Sequence, residues 1–232
     1  MGTLSLVIPV YGPESMLRKI LSHVSGLKSV AANTGFELVE TIVVDDGNAK
    51  PVPEDAPQCP GVPLVVLRND RNRGKGYSVR RGALAAKGQW VLMSDVDEST
   101  PLAEFAALAP FSGKAIVCGS RRCGKDERPL HRRLLSRMFS LLTATGLSDT
   151  QCGFKLFNMA LMRPAFEAMR TDRFAFDVEL IRNAPSVAEV PVEWHGGRRS
   201  SLKVWRDAPR MLLDLLNIHL HVRSRKTKST TP

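Results

Sequence analysis

The sequence predicts an α/β protein with a mostly parallel central sheet flanked by helices. Three observations carry that prediction. Short continuous apolar runs, Leu4 to Val10, Leu38 to Val44 and Trp90 to Met93, suit strands buried on both faces. Stretches with apolar residues at helical spacing alternate with these runs, the order that β-α units impose on a parallel sheet. Two of the runs also end in acidic residues, Asp45-Asp46 and Asp95-Val96-Asp97, and ligands of open α/β sheets bind outside those strand ends.

Composition narrows the partner more than the fold. The chain has 232 residues, 43% of them hydrophobic, enough for one generous domain or two small ones. A formal charge of +10 points to an anionic partner: nucleic acid, an anionic membrane or phosphorylated small molecules. The start, MGTLSLVIPVYG, lacks the basic region of a signal peptide and runs directly into a strand pattern. The longest apolar stretch, Met211 to Leu220, is interrupted by Asp214 and Asn217, so any membrane contact is expected to be peripheral. Cys59, Cys118, Cys123 and Cys152 form no CxxC pair and have no histidine at ligand spacing, which argues against zinc and for reduced thiols.

Taken in order, Leu4 to Val10 is the first strand, stopped by Tyr11-Gly12-Pro13. Glu14 to Val30 follows as one helix, with Leu17, Ile20, Leu21 and Val24 on its apolar face. The second strand, Leu38 to Val44, runs into Asp45-Asp46-Gly47, placed either to hydrogen-bond a base or ribose or simply to make an Asp-Gly turn. No GxGxxG follows the first strand, which disfavours an ordinary dinucleotide fold. Residues 50–63 carry five prolines and no periodicity, the pattern of a surface excursion. Leu64 to Leu67 resumes as a strand, and the loop Arg68 to Gly76 combines glycines with Arg71, Arg73 and Lys75, suiting either phosphate contact or a solvated basic turn. Ser78 to Ala86 fits a helix ended by Gly88.

The strand Trp90 to Met93 then delivers Asp95 and Asp97. Two hard carboxylates one residue apart can share Mg²⁺ or Mn²⁺, which takes few protein carboxylates and completes its shell with water and phosphate oxygens. The alternative is that Asp97 or Ser99 caps a helix starting at Pro101. Ala115 to Cys118 reads as a further strand, ending in Gly119-Ser120-Arg121-Arg122. Leu130 to Leu142 projects an apolar face against Arg132, Arg133 and Arg137, which suits either core packing or a lipid headgroup interface. Met211 to Val222 is a second amphipathic helix with a narrow polar stripe, suited to burial, dimerisation or a membrane surface, and residues 223–232 form a basic tail that suits either an anionic leaflet or solvent.

Beyond these elements, VIPVYG (7–12), VVDDG (43–47), RNRGKGYSVRRGALAAKGQWVLMSDVDEST (71–100), GSR (119–121), DTQCGFKLF (149–157), RFAFDVELI (173–181) and EVPVEW (189–194) occur in an order and spacing that resemble family 2 glycosyltransferases. The nearest likeness is to dolichyl-phosphate β-glucosyltransferases and dolichyl-phosphate mannose synthases, over roughly residues 4 to 215. The resemblance implies a GT-A fold, a Rossmann-like sheet in a single domain over 1–222. Residues 1–100 would be its nucleotide-sugar half and 101–222 its acceptor half. It further implies an inverting reaction with a metal-held nucleotide-sugar donor. Pro9, Tyr11, Asp45 and Asp46 would flank the base and ribose, Lys75 and Gly76 would approach the nucleotide, and Asp95 and Asp97 would hold metal and diphosphate. Ser99 stands where some relatives carry a glutamine ligand. Lys203, in what resembles a late flexible loop, would close over the leaving group.

The expected reaction is transfer of a hexose from UDP-glucose or GDP-mannose to a polyprenyl phosphate, with Asp97, Asp177 and Arg121 as catalytic candidates. Arg121, Arg132, Arg133 and Lys203 are candidates for cradling donor or acceptor phosphates, and Asp177 is either a base for a hydroxyl acceptor or a structural hydrogen-bonding group. The expected location is cytoplasmic, peripheral on the membrane face. The relatives commonly carry a membrane anchor that this sequence does not show, so a soluble acceptor is the alternative. A basic nucleic-acid-binding module is the more distant one, disfavoured by 6% aromatic content and the absence of a recognised motif. A nucleotidyltransferase would need a glycine-rich activation loop near the N-terminus, which is absent.

Overall fold

The computed structural model describes residues 1–121, 143 and 145–195. The helices expected at 130–142 and 211–222, the tail 223–232, and with them Arg132, Arg133 and Lys203, lie outside the described residues.

Strand β1, Gly2–Val10, is buried from Leu4 onward and leads into helix α1, Glu14–Ser22, and helix α2, Val24–Asn33. The sequence predicts one helix here; the structure divides it at His23. The Ser22 hydroxyl donates back to the Lys19 carbonyl at 2.6 Å, the His23 N–H donates to the Ile20 carbonyl at 3.1 Å, and the imidazole is held by Glu98 at 2.7 Å. Tightened backbone plus a tertiary anchor turn the chain without proline or glycine, so sequence punctuation gives no warning. The apolar face survives the break, with Leu17, Ile20, Leu21, Val24, Leu27 and Ala31 all buried.

Strand β2 is Phe36–Asp45 and β3 is Leu64–Arg68. Helix α3, Lys75–Ala85, begins three residues earlier than periodicity indicates, inside the basic loop. Strand β4, Trp90–Ser94, is followed by a 3₁₀ turn at Leu102–Glu104, the short helix α4 at Phe105–Leu108, and β5 at Ile116–Ser120. Strand β6, Phe154–Asn158, helix α5, Met159–Glu167, helix α6, Phe176–Asn183, and strand β7, Val187–Pro191, complete the described chain.

Seven strands form one sheet in the order β3-β2-β1-β4-β6-β5-β7. Neighbours run parallel except around β6, which is antiparallel to both β4 and β5. Alternation along β1 sends Leu4, Leu6 and Ile8 to a core shared with α1, α2 and α4, and Val7 to a second core shared with α3, α5 and α6. The proline-rich excursion closes the first core, burying Ala56, Cys59 and Val62, and is tied down by Arg18 to Asp55 at 2.7 Å. Strands β1, β2, β4 and β5 run parallel to one another and all end on the same side of the sheet.

Candidate active site

Asp45 and Asp46, at the end of β2, are buried and both are engaged by the protein. Asp45 Oδ1 accepts from the Asn48 backbone N–H at 2.9 Å and Nδ2 at 2.7 Å, while Oδ2 pairs with Arg68 at 3.1 Å. Asp46 Oδ1 accepts from Asn69 Nδ2 at 2.7 Å and the Arg73 N–H at 2.8 Å, and Oδ2 from the Gly74 N–H at 2.9 Å. The pair thus makes the turn and also moulds the loop from Asn69 to Gly74. Pro9 is buried within β1, and Tyr11 is 63% exposed just beyond its end, a ring available for stacking at the same edge. Gly47 has φ +75°, and a Cβ there would lie 2.3 Å from the Arg71 carbonyl carbon. Gly47→Ala is therefore expected to push the basic loop away and destabilise the fold by about 1 kcal/mol or more, a fall in Tm that a thermal melt would reveal.

The basic loop docks on residues 171–176, far along the chain. A Cβ on Gly74, φ +110°, would lie 2.4 Å from the Asp172 carbonyl oxygen, and one on Gly76 would lie 2.4 Å from the Thr171 carbonyl oxygen. The Tyr77 N–H donates to the Asp172 carbonyl at 3.0 Å. Gly76 is accordingly explained by close packing on residues 171–176. Its neighbour Lys75, at the first turn of α3, extends toward the end of β4, where its Nζ lies 2.6 Å from Asp95 Oδ1.

Asp95 itself is shaped from the other side by β6. Its N–H donates to the Gly153 carbonyl at 3.0 Å, and a Cβ on Gly153 would fall 2.0 Å from Asp95 Oδ2. Asp97 is exposed, with Oδ1 accepting from the Ser99 N–H at 3.1 Å. Neither Asp97 nor Ser99 caps the turn after Pro101, so the capping alternative is not the one adopted. Glu98 takes φ +49°, a left-handed conformation unusual for its type, while His23 at 2.7 Å and Lys19 at 3.6 Å hold its buried carboxylate. That turn carries Asp97 clear of the core.

Beneath Asp95 lies a buried ion pair, Lys155 Nζ to Asp177 Oδ1 at 2.8 Å, with both side chains at most 4% exposed. Burial pushes the Asp177 carboxyl up from its ordinary value, opposed by the Lys155 and Lys75 ammoniums. Burial would lower the Lys155 ammonium, but Asp177 holds it above its ordinary value. Asp177 therefore faces a lysine inside the core. Arg121, at the end of β5, forks onto Asp149: Nε to Oδ2 at 2.6 Å and NH2 to Oδ1 at 2.5 Å. Burial works against the Asp149 charge, yet the guanidinium outweighs it and holds the carboxyl below the usual range. Glu189 of β7 in turn accepts from the Ser148 and Asp149 N–H groups, both at 2.8 Å.

The structure thus brings Lys75, Asp95 and Asp97 to one edge, places Asp177 under them, and engages Arg121 with a carboxylate. Asp149, Gly153, Lys155 and Glu98 were assigned no role by sequence reasoning. The first three sit in DTQCGFKLF.

This donor set suits a divalent cation of the Mg²⁺ or Mn²⁺ kind. Asp95 already receives a cation, the Lys75 ammonium, and the bare Cα of Gly153 leaves its carboxylate room. On such an ion two carboxylates would leave positions for phosphate and water.

The chain matches the family model described as glycosyl transferase family 2 over residues 5–169. It is 31% identical to a dolichyl-phosphate beta-glucosyltransferase of Dictyostelium discoideum over 93% of this chain and 73% of that protein. It is 33% identical to the human protein of the same name, over 94% and 75%. Among solved structures it resembles glucosyl-3-phosphoglycerate synthase from Mycobacterium tuberculosis in complex with Mn²⁺, UDP-glucose and phosphoglyceric acid. There the TM-score is 0.62 at 17% identity, covering 95% of this chain and 79% of the other.

Proposed function

The chain belongs to glycosyl transferase family 2 and has the GT-A fold, and from that premise we propose that it transfers glucose from UDP-glucose to a polyprenyl phosphate of the dolichyl type. The observation that carries the reading is the Asp95-Asp97 turn at the end of β4, with Lys75 from the basic loop against it and Gly153 from β6 behind it. The dolichyl-phosphate β-glucosyltransferases at 31–33% identity support the choice of sugar and acceptor.

In this reading Asp45, Asp46 and Gly47 shape the base side, and Tyr11 offers its exposed ring there. Asp95 and Asp97 would hold Mg²⁺ or Mn²⁺, and when bound such an ion supplies positive charge to the departing diphosphate. An acceptor phosphate oxygen forms the bond to C1 as the bond from C1 to the diphosphate oxygen breaks, and the electron pair leaves with UDP. Attack from the opposite face inverts the anomeric centre. A phosphate monoester is already largely anionic at neutral pH, with a second pKa of about 6, so no residue need remove a proton. That agrees with a buried, ion-paired Asp177. The protein's work is alignment and charge neutralisation. We further propose that the +10 chain meets its acceptor as a peripheral protein at the cytoplasmic face of a membrane; among the described residues no helix is long and apolar enough to cross one.

The test is incubation with UDP-glucose or GDP-mannose, polyprenyl phosphate in detergent, and Mg²⁺ or Mn²⁺. The expected result is glucose in the organic-extractable fraction, dependent on metal, from the uridine donor. Asp97→Ala should fall to the level seen with chelator. Transfer from GDP-mannose alone would overturn the donor assignment, and full turnover by Asp97→Ala at saturating metal would overturn the role of the acidic pair.

A further inference from the structure

Lys75 stands where a metal would be expected to draw on Asp95. Its Nζ is 2.6 Å from Asp95 Oδ1, close enough for a direct charge-assisted hydrogen bond, and both side chains keep partial access to solvent at 22% and 37% exposure. The backbone that carries Lys75 is clamped on both sides. Gly74 and Gly76 abut residues 171–173 so closely that a Cβ on either would overlap a carbonyl oxygen, and the Tyr77 N–H is bonded to Asp172. The Phe176 ring centroid lies 6.0 Å from the ammonium, and the Asp177 carboxylate acts on it from below. The lysine therefore has a fixed root, a tip with partial access to solvent and two acidic neighbours.

Resting on the transferase reading, we propose that Lys75 is an exchangeable counter-ion of Asp95: it neutralises the carboxylate before loading, yields it to the divalent cation, and passes to the diphosphate brought by the donor. The exchange couples the two ligands. An ammonium on Asp95 lowers the affinity for metal alone, because the cation must displace it or share one carboxylate with a like charge. A diphosphate near the α3 N-terminus gives the ammonium another anionic partner, and Asp95 is then released to the metal. By linkage, metal strengthens diphosphate binding by the same factor. Loading either ligand alone is thereby discouraged.

The measurement is Mn²⁺ affinity of the intact chain by electron paramagnetic resonance of free Mn²⁺, with and without UDP. Lys75→Met should bind Mn²⁺ without nucleotide about tenfold more tightly than wild type, the scale expected for removing a close like charge. It should also lose most of the tightening that UDP confers on wild type. Lys75→Arg, which keeps the charge, should bind metal alone as weakly as wild type. Lys19→Met removes a cation 3.6 Å from Glu98 on the same turn and reports general electrostatics; it should change Mn²⁺ affinity less than twofold. If wild type binds Mn²⁺ in the presence of UDP but Lys75→Met binds metal alone no more tightly than wild type, the exchange is refuted and the transferase reading stands. An equal gain from Lys19→Met also refutes it. If wild type binds no Mn²⁺ with or without UDP, the transferase reading falls and the exchange with it.

Discussion

Replacing Gly153 by alanine should abolish metal-dependent sugar transfer in a protein that still folds. The added Cβ would sit 2.0 Å from Asp95 Oδ2 and 2.8 Å from Oδ1, so the carboxylate has to turn away. The backbone cannot retreat instead, because the Asp95 N–H is bonded to the Gly153 carbonyl and the next residues pair as Ser94 with Phe154 in the β4-β6 ladder. A displaced ligand of about 1 Å costs catalysis about 10²-fold, and loss of the carboxylate from the site costs more. The expected outcome is a fall in kcat/KM of about 10³-fold, unchanged far-ultraviolet circular dichroism, and no Mn²⁺-dependent rise in Tm with UDP. Activity within tenfold of wild type would show that Asp95 does not act from the position it holds here.

The second large effect concerns stability. Asp149→Asn leaves the Arg121 guanidinium, 16% exposed, without its carboxylate, and stranding one partner of a buried pair costs about 3 to 5 kcal/mol. For a chain of this size that lowers Tm by about 10 °C. Its pH dependence follows from the direction of the Asp149 shift. The folded carboxyl titrates below its ordinary value, chiefly because Arg121 overcomes the cost of burial. The contribution is therefore fully present above the unfolded value of about 3.9 and is lost as pH falls through the depressed folded one. Melting curves from pH 8 to pH 3 should show a constant gap between wild type and Asp149→Asn down to about pH 4, closing only in stronger acid. A gap already closed at pH 6 would mean that a different group supplies the stabilisation.

The strands were legible because each is a short apolar run bounded by turn residues, and the core positions of β1, β2 and β4 follow directly from that. The acidic strand ends were legible too, since Asp45, Asp46, Asp95 and Asp97 stand where runs stop. What sequence could not show is where each carboxylate points. Asp46 and Asp97 look alike on paper, yet the first is enclosed by Asn69, Arg73 and Gly74 while the second is exposed. The break at His23 was hidden because its cause, Glu98, lies 75 residues away. Lys155 was hidden for a related reason: a lysine in an apolar strand is at odds with its surroundings until Asp177 is found beside it. Local pattern reports which residues reach the sheet edge, and only the tertiary fold reports which of them remain available to a ligand.

The reversed strand β6 also bears on how the protein is made. A ribosome that has released only the first hundred residues has delivered Asp45, Asp46, Lys75, Asp95 and Asp97, every residue assigned to the donor on the N-terminal side. It has delivered the partners of Asp45 and Asp46, but not those around Asp95 and Lys75: Gly153 behind Asp95, Asp172 against Gly74, and Asp177 beside Lys155 all belong to later chain. The Asp95 and Lys75 end of the candidate site is completed only after residues near 177 have left the exit tunnel, because its contacts are long-range ones.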